Sequence, residues 1–186
     1  MQTQGNGIDV DAKKITIGLG WDQNNSSYSD EFDLDVSAFM LNKNKLMPRD
    51  DYFVYYNNLK SYDNSTILQG DNRIGGNYPG KDNDNEEIII NLDKIDTNIV
   101  EIVFTATIFK ALERNQNFGQ VKNSYIRIYN SLSNEVIARY DLEEDFSVET
   151  SVEFGRLYLE SGSWKFEGIG NGYKEGLELF IDKYAQ

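Results

Sequence analysis

Alternation of apolar with small or polar residues is the dominant pattern along this chain. Ile15, Ile17 and Leu19 alternate in this way, which predicts a first β-strand with one buried face. Further runs rich in β-branched and aromatic residues predict more strands. These runs are Leu34 to Leu41, Tyr52 to Tyr56, Glu87 to Leu92, Val100 to Ile108, Tyr125 to Tyr129, Val136 to Tyr140, Ser151 to Leu159 and Trp164 to Ile169.

Two segments carry a helical pattern instead. Lys110 to Asn117 is long enough for about two helical turns. From Glu175 to Tyr184 the apolar residues recur at the i, i+3, i+4 and i+7 spacing of one helix face. Together the pattern predicts a mainly β protein: a two-sheet antiparallel β-sandwich with a C-terminal helix and one short internal helix. No internal repeat or long linker divides the 186 residues, so we expect a single domain in which residues 1–13 are flexible.

Composition excludes several kinds of function. Asp and Glu number 31 against 18 Lys and Arg, and the resulting net charge of −13 repels nucleic acid and anionic lipid. The hydrophobic content of 39% argues for a packed protein and against a disordered acidic tail. Cys and His are both absent, so any bound metal must be held by oxygen, and thiol or imidazole catalysis is excluded. Because no apolar run resembles a signal sequence or a membrane span, we expect a cytoplasmic protein with no direct membrane insertion.

Acidic residues gather at the ends of predicted strands. Asp33 and Asp35 flank Leu34, so the period of two places both carboxylates on one face, with Cα atoms about 6.5–7 Å apart. Both side chains could then reach one cation, and Asp22 could join them from the end of the first strand. A solvated strand start would give the same pattern, and this alternative stays open.

The segment from Gly70 to Glu87 is rich in glycine, asparagine and acid. Its glycines permit the positive φ angles that a chain needs to wrap around an ion. Its spacing does not match an EF-hand loop, and a solvated charged loop is the alternative. Oxygen ligands in a flexible loop nevertheless suit a hard cation, and we predict a Ca²⁺ site here. The candidate ligands in this segment are Asp71, Asn72, Asp82, Asp84, Glu86 and Glu87.

Several longer motifs occur in one order along the chain. They are GLGWD (Gly18–Asp22), FDLDVSAFML (Phe32–Leu41), YYNNLKS (Tyr55–Ser61), GDNRIG (Gly70–Gly75), NFGQVKNSYIRI (Asn117–Ile128), ARYDLEEDFSVET (Ala138–Thr150) and WKFEGIGNGYKEGL (Trp164–Leu177). In these motifs the sequence resembles the TerD family of tellurium-resistance and general stress proteins. The resemblance covers all but the first dozen or so residues.

The resemblance implies a non-enzymatic bacterial protein that binds about two Ca²⁺ ions through its acidic segments. It also implies partnership with other Ter-family proteins, one of them a membrane protein. Carried over residue by residue, the metal ligands are Asp22, Asp33, Asp35, Asp71, Asn72, Asp84 and Glu86, with Asp82 and Glu87 as weaker candidates and Asn57 at the border of the site. In this chain Asn85 replaces an acid and the loop is longer than usual. We therefore expect weaker binding of a second ion, because an amide contributes no charge.

Two other function classes fit the same residues less well. A calcium-dependent carbohydrate- or ligand-binding β-sandwich module would also use acidic loops and exposed tyrosines. A hydrolase could use two carboxylates such as Asp33 and Glu86, although nothing in the sequence indicates a substrate. Under the calcium hypothesis, the bound ion joins the Gly70 to Glu87 segment to the Asp33/Asp35 strand and orders a surface that partners recognise.

Overall fold

The computed structural model describes residues 7–24, 30–70, 72–76 and 83–185. Within this part of the chain, eleven strands and three α-helices follow one another. They are β1 (Ile8–Asp9), β2 (Lys14–Gly20), β3 (Leu34–Leu41), β4 (Phe53–Val54), β5 (Thr66–Leu68), β6 (Glu86–Asn91), β7 (Glu101–Ile108), α1 (Ala111–Arg114), β8 (Tyr125–Asn130), β9 (Val136–Asp141), α2 (Leu142–Asp145), β10 (Ser151–Glu160), β11 (Ser163–Tyr173) and α3 (Leu177–Tyr184).

The strands form two sheets, and this confirms the predicted β-sandwich. Sheet A has six strands in the order β1-β11-β10-β7-β3-β4, and sheet B has five in the order β5-β6-β2-β8-β9. Each pair of neighbouring strands is antiparallel. The inward side chains of both sheets, among them Leu19, Val36 and Phe104, form one large apolar core.

The outer face of sheet A is covered as well. Phe39, Phe53 and Val103 on that face pack against Phe180 and Tyr184 of α3 in a second apolar cluster. Because apolar contacts lie on both sides of the sheet, every residue of β3 is buried. The amphipathic pattern from Glu175 to Tyr184 therefore predicted α3 correctly, and the structure shows that α3 covers the outer face of sheet A.

Several short elements differ from the sequence-based expectation. The expected strand from Tyr52 to Tyr56 is reduced to β4, because a 3₁₀ turn precedes it and a tight turn closed by a Tyr55–Asn58 bridge follows it. Helix α1 makes one turn and ends where Asn115 takes a left-handed conformation with φ of 52°. Strands β1 and β5 and helix α2 were not predicted, since segments of two to four residues are too short to show a period.

The register brings the acidic loops to one end of the sandwich. Leu19 pairs with Glu86, so the end of β2 meets the start of β6, and Gly20 pairs with Tyr125 at the start of β8. Leu34 at the start of β3 pairs with Ile108 at the end of β7. We call this end of the sandwich, where the end of β2, the starts of β3, β6 and β8 and the end of β7 lie, the acidic end. None of the helices in the described residues is both long enough and apolar enough to cross a membrane.

Candidate functional site

Asp33 and Asp35 lie together at the start of β3. Leu34 between them points into the core, whereas Asp35 is 4% exposed and lies on the outer face of sheet A, opposite Thr107. Burial raises the pKa of the nearby Tyr56 phenol, and the negative charges of Asp35 and Asp33 add to that increase. The charges of Asp35 and Asp33 therefore both act on one phenol at the start of β3.

A cleft of about 430 Å³ opens beside these residues. Asp35, Tyr56 and Asn57 line one part of it, and the start of α3 with Glu178 lines another. Asn57 thus lines the same cleft as Asp35. Tyr56 and Glu178 were not predicted as part of the site, because no periodic pattern connects them with β3.

Glu86 and Asn72 meet at a different place in the acidic end. The Glu86 side chain is 1% exposed, and its Oε2 accepts a hydrogen bond of 3.0 Å from the Val36 amide of β3. Its Oε1 accepts one of 3.2 Å from the Asn72 amide. Asn72 Oδ1 in turn accepts the amides of Ile74 and Gly75, each at 3.1 Å. Glu86 therefore connects β6, β3 and residues 72–76 through protein hydrogen bonds.

Trp21 connects the same loops. Its indole N–H donates to the Phe32 carbonyl at 3.0 Å, and its main-chain N–H donates to Asn85 Oδ1 at 2.7 Å. The Gly76 amide donates to the Trp21 carbonyl at 3.2 Å. The ring is completely buried, so this residue holds the segments around positions 32, 76 and 85 together.

Asp84 lies on the outer face of sheet B. Its side chain is 0% exposed, and its carboxylate accepts two hydrogen bonds of 3.0 Å from the Arg127 guanidinium. The Tyr125 hydroxyl donates to Oδ1 at 2.9 Å, and the Tyr129 hydroxyl lies 3.1 Å from Oδ2. A Cβ atom at position 18 would lie 2.2 Å from Asp84 Oδ2, which explains the glycine at that position.

The last two described candidates also have protein partners. Glu87 Oε1 lies 3.2 Å from the Tyr129 hydroxyl on the same outer face. Asp22 Oδ2 accepts a hydrogen bond of 2.6 Å from the side-chain amide of Asn123, and its main-chain N–H donates to Lys122. Asp22 is thereby attached to the loop that precedes β8.

The structure therefore divides the candidates among four surroundings. Asp33 and Asp35 act electrostatically on Tyr56, and the Glu86 side chain accepts the main-chain amides of Val36 and Asn72. Asp84 and Glu87 lie on the outer face of sheet B, and Asp22 lies beside Asn123. Across the described ranges, no three acidic side chains form a group that could hold a metal ion. The candidates Asp71 and Asp82 lie outside the described residues.

The sequence carries part of the signal for the partners of Asp84, and the strand order of sheet B supplies the rest. Tyr125, Arg127 and Tyr129 alternate with Ile126 and Ile128, so the two tyrosines and the arginine share the outer face of β8. A buried arginine between two tyrosines on a strand needs a carboxylate partner, and β2 contributes only glycine opposite Arg127. The acidic partner of Arg127 therefore comes from β6 or the loop before it, on the far side of β2.

Comparisons with known proteins agree with this fold and these motifs. A model of the TerD domain matches residues 3–184. The chain is 42% identical over 172 residues to General stress protein 16U of Bacillus subtilis (strain 168), across 92% of this chain and 87% of that protein. It is 43% identical over 173 residues to Tellurium resistance protein TerD of Serratia marcescens, across 93% of this chain and 88% of that protein.

A solved structure shows the same architecture. The crystal structure of a homologue of telluride resistance protein (TerD) from Streptomyces coelicolor A3(2) superposes with a TM-score of 0.77 at 18% identity, and covers 94% of this chain and 99% of that one. At that identity the likeness bears on the fold, whereas the sequence relatives and the domain match bear on the family. The chain belongs to the TerD family of tellurium-resistance and stress-response proteins.

Proposed function

We propose that this protein is a non-enzymatic, cytoplasmic stress-response protein that binds Ca²⁺ at the acidic end of the sandwich and there presents an ordered surface to partner proteins. Its relatives of more than 40% identity are named for general stress and tellurium resistance, which supports the stress-response part. The calcium part is supported by one observation above all: burial raises the pKa of the Tyr56 phenol, and the negative charges of both Asp35 and Asp33 raise it further, at a cleft that Asp35 and Asn57 line.

The donor set fits a hard cation at Asp33 and Asp35. Asp35 and Asn57 line one cleft, Asp33 lies two residues before Asp35 in the chain, and Ca²⁺ takes six to eight oxygen ligands. Asp22, Asp71 and Asp82 are the proposed contributors from neighbouring segments. The remaining ligands would be main-chain carbonyls or water, both of which are common around Ca²⁺.

The other candidates fit a structural role better. The Asp84 carboxylate already accepts bonds from one guanidinium and two hydroxyls, so a cation there would have to displace Arg127. Both oxygens of Glu86 accept main-chain amides, one of them from Asn72. Glu87 shares the Tyr129 hydroxyl with Asp84. We assign these residues to holding the loops in place, while the ion binds beside them.

Partner recognition is proposed on grounds of charge. The net charge of −13 repels other acidic surfaces, and each bound Ca²⁺ cancels two negative charges at the acidic end. Because Glu86 and Trp21 already fix the loops, the ion would change the surface charge more than the fold. Other Ter-family proteins, including a membrane protein, are the proposed partners of this end.

Calorimetry on the chelator-stripped protein tests the calcium proposal. We expect Ca²⁺ to bind and to raise the melting temperature more than Mg²⁺ does, because Mg²⁺ demands a tighter octahedron of ligands. At 100 times its dissociation constant the ion adds about 2.7 kcal/mol to the free energy of unfolding. Asp33→Asn and Asp35→Asn should each remove most of this increase.

The matched control is Asp93→Asn, an exposed acid far from the acidic end with the same change of charge. It should leave the calcium effect intact. Equal melting temperatures in EDTA and in calcium, or an equal loss in the control variant, would refute the proposal.

A calcium-dependent carbohydrate-binding module is the second candidate. The cleft beside Asp35 favours it, because Tyr55 and Tyr56 line a space large enough for a small ligand. Binding to a glycan array that appears with calcium and disappears with EDTA would support this alternative. Stress survival in a deletion strain complemented with Tyr56→Ala would separate the two functions.

A further inference from the structure

Helix α3 covers a part of sheet A that is polar although it is buried. Five neighbouring polar residues of β3, β7 and β10 are each at most 2% exposed, and we call them the polar patch. They are Ser37, Thr105, Thr107, Ser151 and Glu153. Thr105 pairs with Ser37 on one side and with Glu153 on the other, and Thr107 pairs with Ser151. The five side chains therefore share one face of the sheet.

The polar patch lies next to the aromatic cluster under α3. Val103 belongs to that cluster and stands two residues before Thr105, on the same face of β7. Phe180 and Tyr184 of α3 meet the ring of Phe39 there, with centroids 6.3 and 5.2 Å apart. These are the two buried residues of α3. One helix of eight residues thus covers an apolar area and a polar area side by side.

Three hydroxyl groups of the polar patch are buried without a hydrogen-bond partner among the described residues. They belong to Ser37, Thr105 and Ser151. Buried polar groups are normally paired, and an unpaired one lowers the stability of the arrangement that buries it. Movement of α3 away from sheet A would expose these hydroxyls to water, which pairs them. The polar patch therefore favours the release of α3, whereas the aromatic cluster opposes it.

The carboxylate of Glu153 holds the C-terminal half of α3 on the polar patch. It accepts the Lys183 ammonium at 2.8 and 3.1 Å, and the Tyr184 hydroxyl donates to the same carboxylate. Burial raises the pKa of the Tyr184 phenol, and the hydrogen bond and charge of Glu153 raise it further, so this phenol stays a donor. If α3 left, only the Tyr173 hydroxyl, 3.4 Å away, would remain of these partners in the described chain. Because Glu153 is buried, its charge favours the closed helix.

The start of α3 lacks a capping side chain. Its N-cap residue is Gly176, which has no side chain to accept the first helical amides. Just before the helix, the Thr150 hydroxyl donates to the Glu175 carbonyl at 2.9 Å. A helix of eight residues is not stable in water without packing contacts. Helix α3 therefore unfolds when it leaves sheet A, and residues 174–176 serve as its hinge.

We infer that α3 is a releasable strap that opens by local unfolding, and that Glu153 holds it closed. In the closed state the polar side of α3 faces solvent. In the open state the hydroxyls of the polar patch are hydrated, and Phe39, Phe53 and Val103 form an accessible apolar surface. This inference goes beyond the calcium proposal and does not depend on it.

Amide hydrogen exchange of the whole protein, followed by NMR in EDTA, tests for local opening. The reporters are the Ala185 amide, which donates to Ile181, and the Met47 amide, which donates to the Tyr184 carbonyl. After correction for intrinsic rates, both should exchange at least about tenfold faster than the Ile17 amide in the central strand of sheet B. Low denaturant should accelerate exchange at Ile17 strongly and at the reporters little, because local opening exposes little surface. Equal protection and equal denaturant dependence of all three amides would overturn the inference.

A core variant in sheet B separates the strap from the rest of the fold. Ile128→Val lowers the stability of the closed and open states alike, because Ile128 lies in the core between the sheets. It should accelerate exchange at Ile17 up to about tenfold and leave both reporters unchanged. Equal acceleration at the reporters would show that α3 leaves only when the whole protein unfolds, contrary to the inference.

The role of Glu153 has a matched control. Glu153→Gln removes the charge that holds α3 and should accelerate exchange at both reporters about tenfold. Glu167→Gln makes the same change of charge on the same face of sheet A, where Glu167 pairs with Arg156 at 2.7 Å. It should leave both reporters within about twofold of their original rates. Equal effects of the two variants would contradict the assignment of Glu153.

The polar patch is tested by removing its hydroxyls. Thr105→Val combined with Ser37→Ala should slow both reporters about tenfold, because closing α3 then buries fewer unpaired groups. Thr16→Val is the control, since the Thr16 hydroxyl on sheet B pairs with Ser131 at 2.9 Å, and it should not slow the reporters. Faster exchange in the double variant would show that the hydroxyls hold α3 closed and would overturn the inference. All these measurements are made in EDTA, so their outcome is independent of calcium binding.

Discussion

Two groups of carboxylates on opposite outer faces of the sandwich have very different surroundings. On sheet B, Asp84 is enclosed by Arg127 and two tyrosine hydroxyls and has no contact with solvent. On sheet A, Asp35 lies beside Tyr56 in a cleft that Glu113 and Glu178 also line. Burial raises the pKa of the Tyr56 phenol, and the negative charges of Asp35, Glu178 and Asp33 add to the increase. Asp84 is neutralised by a guanidinium of the protein itself, whereas Asp33 and Asp35 are the acids of the proposed calcium site.

The difference shows what decides the role of an acid in this fold. Asp84 and Asp35 look alike in the sequence, since both stand beside a strand among other acids. Opposite Asp35 the neighbouring strand presents Thr107, which carries no charge, while the strands around Asp84 present glycine and arginine. The partner strand, and not the local composition, separates a structural acid from a candidate ligand.

The largest expected effect comes from removing the partner of Asp84. Arg127→Met should lower the free energy of unfolding by about 3–5 kcal/mol, because it leaves a fully buried carboxylate without its cation. Denaturant unfolding at neutral pH in EDTA measures this. Arg139→Met is the control, because Arg139 pairs with Asp141 at the surface and should cost about 1 kcal/mol or less.

The contrast between Asp84 and Asp35 is contradicted if Arg127→Met lowers the free energy of unfolding by no more than Arg139→Met does. It becomes sharper if Asp35→Asn in EDTA lowers the free energy of unfolding much less than Arg127→Met does, since Asn keeps the size of the Asp35 side chain.

A smaller effect is expected at the connection between the two regions. Glu86→Gln should cost about 1–3 kcal/mol, because the amide nitrogen of Gln would face one of the two main-chain donors that Glu86 now accepts. Hydrogen exchange should become faster at the Val36 and Asn72 amides. The neighbouring Glu87→Gln lies on the opposite face of β6 and should leave the exchange of both amides unchanged. Faster exchange in that control as well would mean that Glu86 has no special role.

The smallest effect at neutral pH concerns two tyrosines, one in each region. Burial raises the pKa of Tyr129 and of Tyr56, and charges of Asp84 and Asp35 respectively add to the increase. Since the folded pKa exceeds the unfolded value of 10.0, each contributes stability that is present in full below pH 10 and is lost as the pH rises through the folded pKa. Below about pH 10 we expect neither tyrosine to make the free energy of unfolding depend on pH.

NMR titration with ring-labelled tyrosine distinguishes the two regions. Asp35→Asn should lower the pKa of Tyr56 towards its ordinary value and leave that of Tyr129 unchanged. An equal shift of both tyrosines would show that the two acidic regions are coupled, contrary to the comparison made above.

The main architecture could be predicted from the sequence because it depends on period. Strands such as β3 and β7 are long enough to show alternation or continuous burial, and α3 shows a clear apolar face. The same period predicts that Asp33 and Asp35 share one face, and the structure places Asp35 on the outer face of sheet A, opposite Thr107. Tyr56 and Glu178 could not be found in this way, because a turn and a helix bring them to β3 from distant positions of the chain.

The surroundings of the Gly70 to Glu87 acids were the least predictable. An acidic composition indicates a cation but does not say whether the cation is an ion or an arginine of the protein. Asp84 pairs with Arg127, which is 43 residues away in the sequence, across β2. Only the strand order of sheet B makes these two residues neighbours.

Trp21 gives this protein a built-in optical reporter. The sequence contains two tryptophans, and Trp164 lies half-buried on β11, away from the acidic end. In a Trp164→Phe variant, all indole emission would come from Trp21. The Trp21 ring donates to the Phe32 carbonyl, and the Trp21 main-chain carbonyl accepts the Gly76 amide. The wavelength and quenching of that emission would report changes around Trp21 when Ca²⁺ is added, without any attached dye.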